Sequence, residues 1–266
     1  MTIAGSDSGG GAGIQADLKT FQALGVYGAS TLTAITAQNT LGVRAVHEVP
    51  VSVIADQIDA VVEDIGVDAA KTGMLSSAEI ITTVANRVRH WGLQARLVVD
   101  PVMVAKSGDR LLREDAVEAL KRELLPLAAV LTPNLPEAEV LVGGRVESEA
   151  EIREAAQAII GLGPRAVVIK GGHRPAIEHA DDVLFDGREF HLLPAERIDT
   201  PNTHGTGCTF SAAIAAQLAL GAEVVEAVRV AKAYLSEAIR RSAPLGGGHG
   251  PVAHDWLLER AALVGV

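Results

Sequence analysis

The chain has 266 residues, enough for one large domain or two small ones, and its 48% hydrophobic but only 3% aromatic content means that Ala, Val, Leu and Ile must fill the core. Such a composition suits a parallel α/β sheet covered by helices. A net charge of −10 argues against a broad basic face for nucleic acid, no stretch reaches the ~18 apolar residues needed to span a bilayer, and the start MTIAGSDSGGG lacks the basic and apolar regions of a signal peptide.

Thr2-Ile3-Ala4 reads as the end of a first strand, short enough to expect a few residues missing before it. A glycine-rich loop, Gly5 to Gly13, precedes an amphipathic helix from Ile14 to Leu24. With Gly9 and Gly11 as the first pair, Ile14 stands where the dinucleotide fingerprint needs its third glycine, so that motif fails. The phosphate-loop motif is absent too: Lys71-Thr72 and Lys106-Ser107 both follow alanine. The β-branched run Ser30–Ala37 predicts a strand ending at Gln38-Asn39, with another at Val43–Val49 and a helix over Val51–Asp64. Strands are predicted at Val67–Lys71, Arg96–Val99, Ala128–Leu131 and Ala166–Ile169, and helices at Ser77–His90, Glu114–Leu124, Pro136–Val142 and Glu149–Ile160. Val183–Phe185 and Glu189–Leu193, joined by Asp186-Gly187, form a hairpin. Helices at Thr209–Leu218, Glu223–Arg241 and His254–Leu263 complete the chain.

Strands alternating with helices predict βαβ units, a mostly parallel sheet and one domain. Ligands bind beyond the carboxyl ends of such strands. The polar residues after each strand therefore converge on one edge: Gln38, Met74, Asp100, Asn134 and Lys170. Gly205-Thr206-Gly207-Cys208 belongs there as well. A small-residue turn opening a helix gathers free N–H groups and the positive dipole end, so it is a ready anion site, and phosphate is the commonest anion. A plain helix start with flexible glycines and a structural cysteine would read the same way. The single Cys208 rules out an intrachain disulfide and fits a reducing cytoplasm.

Seven segments, GSDSGGGAGIQADLKT, TAITAQNT, KTGML, DPVMVAKSG, TPNLPEAE, IKGGH and NTHGTGCTFSAAIA, stand in order from about Ile3 to Ala216. As a set they resemble the hydroxymethylpyrimidine/phosphomethylpyrimidine kinases of thiamine biosynthesis, in the ribokinase-like superfamily. The resemblance implies a sheet flanked by helices on both faces, use of ATP and Mg²⁺, and a homodimer. It implies that Gly205, Thr206, Gly207 and Cys208 face the transferred phosphoryl group, with Cys208 as the base. A thiol at a helix N-terminus is expected to have a lowered pKa. It implies that Lys170 reaches ATP phosphates, that Asn134 helps bind the nucleotide, and that Glu137 and Asp100 serve Mg²⁺ through water. Gln38 becomes the pyrimidine contact, since a glutamine amide matches an amino group beside a ring nitrogen. Asp17 falls near the hydroxymethyl end, and Met74 and Val102 pack on the ring faces. His204 and His173 sit among glycines, where they either touch phosphate or only cap loops. Three other readings remain: a cysteine-type pyridoxal kinase, a hydrolase built on Cys208 and His204, and a catalytically silent ligand-binding protein.

Overall fold

Side-chain alternation along short buried strands divides the core into two layers. The computed structural model describes residues 1–103, 114–172 and 180–258. Its elements run β1 (Thr2–Ala4), α1 (Gly13–Ala23), β2 (Ser30–Leu32), β3 (Ala34–Asn39), β4 (Gly42–Glu48), α2 (Val51–Asp64), β5 (Ala70–Thr72), α3 (Ala78–His90), β6 (Leu97–Val99), α4 (Glu114–Ala119), β7 (Val130–Leu131), α5 (Leu135–Val142), α6 (Glu149–Ile160), β8 (Val167–Ile169), β9 (Asp182–Phe185), β10 (Phe190–Leu193), α7 (Thr206–Ala219) and α8 (Val224–Arg240). Leu97 and Val99 face a layer formed by α2 to α6, while Val98 between them faces α1, α7 and α8.

The main sheet has the order β10-β9-β8-β7-β6-β5-β1-β2. It is parallel from β2 to β8, and β9 and β10 are antiparallel. Connections leave β1 toward β2 on one side and run outward from β5 on the other, so the switch point lies between β1 and β5. A crevice opens there at the carboxyl ends of the strands.

The predicted strand Ser30–Ala37 is two strands. Thr33 ends the first: its N–H donates to the Ala4 carbonyl at 3.0 Å and its hydroxyl to the Met74 carbonyl at 2.7 Å. Beyond it the chain leaves the main sheet, and β3 pairs antiparallel with β4 alone. Ile35 on one face of this hairpin and Val46 on the other are both exposed. The helix predicted to Leu124 is α-helical only to Ala119 and then widens into a π turn over Leu120–Leu124. α7 starts at Thr206, three residues before the expected position. The predicted C-terminal helix begins as turns after His254, and its remainder lies outside the described residues. The other helices agree within about two residues at their ends. Ser77 caps α3, and capping boxes close α5 and α6.

Candidate active site

One cavity of about 870 Å³ runs along the carboxyl edge and is lined by the glycine-rich loop, the β3 end, the loops after β5, β6, β7 and β8, and the start of α7. Gly205, Thr206, Gly207, Cys208, Lys170, Asp100, Asn134, Glu137, Gln38, Met74 and Val102 all line it. Asp17 does not.

Gly205 makes the α7 start possible. Its φ of +81° favours glycine, and a Cβ there would lie 1.8 Å from the Gly11 carbonyl oxygen. Thr206, Gly207 and Cys208 form the first turn, where N–H groups have no intrahelical partner. The Thr206 N–H makes a long bond of 3.4 Å to the Thr203 carbonyl before the helix, and the Thr209 N–H makes the first bond within it, to the Gly205 carbonyl at 2.8 Å. A Cβ on Gly207 would stand 3.4 Å from both Asp100 Oδ2 and Lys170 Nζ. The positive helix end thus opens beside an ammonium–carboxylate pair.

Lys170 Nζ donates to Asp100 Oδ1 at 3.1 Å. Asp100 also accepts from Thr132 Oγ1 at 3.3 Å and Ser211 Oγ at 3.4 Å. Burial pulls the Lys170 pKa down, but Asp100 and Glu137 outweigh it, and the net shift is upward. Glu137 caps its own helix: the Asn134 N–H donates to Glu137 Oε2 at 2.8 Å and the Glu137 N–H to Asn134 Oδ1 at 2.9 Å. Burial, and to a smaller degree Asp100, push the Glu137 carboxyl up to about 7 against the opposing pull of Lys170 and two backbone bonds. The first-turn glutamate is therefore both a cap and part of the cavity wall.

Cys208 departs from expectation. It is half-buried at the cavity wall, yet desolvation pushes its thiol up to about 11, and Asp17 and Asp100 add to the rise. Lys71 and a backbone bond from Gly13 oppose it without prevailing.

Asp17 is also corrected. Its carboxylate is fully buried between Lys71 Nζ, 2.9 Å from both oxygens, and the Thr2 hydroxyl at 2.6 Å. Burial pushes the Asp17 pKa up, while Lys71, although desolvated, is pushed up by Asp17 and other anions. Both neighbours donate to Asp17, so the pair is ionic. It ties α1 to β5 behind the site.

Gln38 reaches the cavity with its amide uncommitted: Oε1 lies 3.3 Å from Thr36 Oγ1, but the Thr36 hydroxyl donates its one proton to the nearer Ser6 carbonyl at 2.8 Å. Its N–H donates to Ser8 Oγ at 2.8 Å, which fixes the end of β3 to the glycine-rich loop.

Sequence reasoning missed Asp7. Its carboxylate accepts from the N–H groups of Gly9 (2.8 Å), Gly11 (3.0 Å) and Ala12 (2.9 Å) and meets His204 Nε2 at 2.8 Å. Burial opposes ionisation of Asp7, but His204 and the amides outweigh it and hold the carboxyl below its usual range. Asp7 thereby joins the first loop to the loop before α7. Among the described residues no hydrogen bond joins His204 to Cys208, so the hydrolase pair is not assembled. His173, like Lys106-Ser107, lies outside the described residues.

Among the described residues no group of three or more His, Cys, Asp or Glu side chains is placed to hold a metal ion, and no helix is long and apolar enough to cross a membrane.

Residues 7–253 match the family described as phosphomethylpyrimidine kinase. A hydroxymethylpyrimidine/phosphomethylpyrimidine kinase of Rhizobium meliloti is 58% identical over 257 residues, which cover 96% of each chain. The thiamine biosynthesis bifunctional protein ThiED of Geobacter sulfurreducens is 55% identical over 96% of this chain, which spans about half (51%) of that longer protein. Among solved structures, an ADP complex of Bacillus subtilis pyridoxal kinase superposes with a TM-score of 0.89 at 45% identity, covering 97% of both chains. The architecture is ribokinase-like. The chain belongs to the phosphomethylpyrimidine kinase family.

Proposed function

We propose that the chain transfers the γ-phosphoryl group of ATP to the hydroxymethyl oxygen of 4-amino-5-hydroxymethyl-2-methylpyrimidine, and then phosphorylates the monophosphate to the diphosphate, as a step of thiamine biosynthesis. The observation that carries this reading is the Lys170–Asp100 pair facing the first turn of α7 across one cavity. Lys170 binds nucleotide phosphates as a point charge. The amides of Thr206, Gly207 and Cys208 receive the equatorial oxygens of the transferred group as charge redistributes. In each step the acceptor oxygen forms a bond to phosphorus as the bond to the ADP oxygen breaks. In the first step the hydroxymethyl proton leaves late, and Cys208 beside the turn takes it in this reading; the ionised phosphate oxygen of the second step needs no base. A thiol at about 11 is protonated in the resting enzyme, so Cys208 starts as a donor and must be recruited as a base during the reaction.

The donor set fits Mg²⁺ only in a shell of water and phosphate: Asp100 and Glu137 are two carboxylates, and Asp100 already holds Lys170. Bound there, the ion would neutralise phosphate charge. Gln38 reads the pyrimidine, with Met74 and Val102 on its faces. Asn134 contributes to the nucleotide side chiefly by fixing Glu137. The reading includes one domain, a homodimer and a cytoplasmic location.

A second acceptor is favoured by one comparison. The similar pyridoxal kinase is 45% identical over 97% of this chain, and pyridoxal also carries a hydroxymethyl group on a six-membered ring. Incubation with Mg·ATP and the pyrimidine alcohol, followed by mass spectrometry, tests the proposal. Monophosphate followed by diphosphate supports it. ATP hydrolysis without phosphorylated pyrimidine contradicts it.

A further inference from the structure

We infer that Gly5 is a specificity-determining residue: the space left by its missing side chain seats the Met74 methyl and so sets the room available to the acceptor ring. The inference rests on the acceptor site proposed above. Both residues line the cavity at the switch point, Gly5 after β1 and Met74 after β5. A Cβ at Gly5 would stand 2.7 Å from Met74 Cε, but 3.6 Å from both Met74 Sδ and the Ala34 carbonyl oxygen. The collision is therefore with one methyl group at the end of a flexible side chain.

The two backbones are fixed. The Gly5 carbonyl accepts from the Ile14 N–H at 3.0 Å, and the Met74 carbonyl accepts from the Thr33 hydroxyl at 2.7 Å. Gly5 is not among the glycines with positive φ, so alanine's backbone is tolerated. Only the thioether can yield. Fully buried Ala34 stands behind it, which leaves the cavity as the way out. Thioethers adapt readily to irregular space. An added methyl at Gly5 therefore costs the fold little and the acceptor pocket one methyl group of volume. Pyridoxal carries more ring substituents than the aminopyrimidine, so it loses more.

A double-mutant cycle isolates this contact. Gly5→Ala should raise the acceptor KM about tenfold, a coupling of ordinary size for touching residues, with the ATP KM and Tm unchanged. In the Met74→Val background, which lacks the methyl, the same substitution should change the acceptor KM by less than about twofold. Met74→Val alone, which keeps Gly5, should raise kcat/KM for pyridoxal relative to the pyrimidine. An equal rise in both backgrounds, no rise in either, or an equal loss on ATP with a lowered Tm would overturn the inference. So would a crystal structure of Gly5→Ala with Met74 Cε unmoved, whichever acceptor the enzyme uses. A wild-type enzyme that phosphorylates neither acceptor would sink the acceptor reading while leaving the Met74 displacement measurable in that crystal.

Discussion

Lys170 Nζ and Asp100 Oδ1 stand 3.1 Å apart, on the loops that follow β8 and β6, with the β7 strand between them. The pair is nearly buried, at 16% and 2% side-chain exposure, so Lys170 has little freedom to choose another partner. Lys170→Ala should raise the ATP KM and lower turnover while leaving pyrimidine binding nearly unchanged. Steady-state kinetics with each substrate varied separately makes the check. Collapse of pyrimidine binding with ATP kinetics intact would place Lys170 on the wrong ligand.

Asp17 behaves as a structural residue in this account. Removing one member of a buried ion pair leaves the other charge unpaired, which costs about 3–5 kcal/mol. Asp17→Ala should lower stability in urea by that order, and Asp17→Leu with Lys71→Met should recover much of it. A fully stable Asp17→Ala enzyme that has lost only acceptor binding would return Asp17 to the substrate.

Much of the architecture was legible, because a buried parallel strand and an amphipathic helix leave different periods in the sequence. Val51–Asp64 and Glu149–Ile160 have the bounds the pattern gives. The break at Thr33 was not legible, since β2 and β3 form one β-branched run and only contacts to Ala4 and Met74 separate them. The cavity-lining set after the strands followed from topology. Burial energies did not: a helix N-terminus alone favours a thiolate at Cys208, but at this site desolvation and two nearby carboxylates raise the thiol against Lys71 and a backbone bond. Two signals were readable and went unused. Lys71 is a charge within a buried parallel strand, which demands a partner. Asp7 stands two residues before Gly9, the spacing of a side chain that bonds its own backbone, although its partner His204 is 197 residues away.

Glu137 gives the stability a pH signature. Its folded pKa of about 7 lies above the ordinary 4.5, so the folded state holds the proton more tightly than the unfolded chain. Its contribution is full below pH 4.5 and is lost as pH rises to about 7. Glu137→Gln keeps a capping side chain and removes the titration. The Tm of the variant minus that of the wild type should climb across this window and level off above it. A difference that is constant with pH would show that Glu137 titrates normally.

Cys208 should resist alkylation in the free enzyme at neutral pH, with the iodoacetamide rate rising toward a midpoint near 11. A midpoint below about 8.5, the ordinary thiol value, would restore a resting thiolate. Cys208→Ala should keep nucleotide affinity, because the first-turn amides remain, and should lower turnover by about 10²–10⁴ if the sulfur takes the proton. Unimpaired turnover would reduce Cys208 to packing.

The central claim is that the acceptor is an aminopyrimidine, and kcat/KM for hydroxymethylpyrimidine and pyridoxal in one preparation tests it most directly. The Thr36 hydroxyl gives its proton to the Ser6 carbonyl at 2.8 Å, which leaves the Gln38 NH₂ to donate to the ring nitrogen and the Gln38 Oε1 to accept from the amino group. Pyridoxal offers an oxygen where that amino group lies. The wild type should prefer the pyrimidine, and Gln38→Leu should weaken it by roughly 1–3 kcal/mol, the usual penalty for an unpaired buried group, with a smaller loss on pyridoxal. The ratio within one variant cancels differences in folded fraction. A wild-type preference for pyridoxal, or equal losses for both acceptors in Gln38→Leu, would contradict the account.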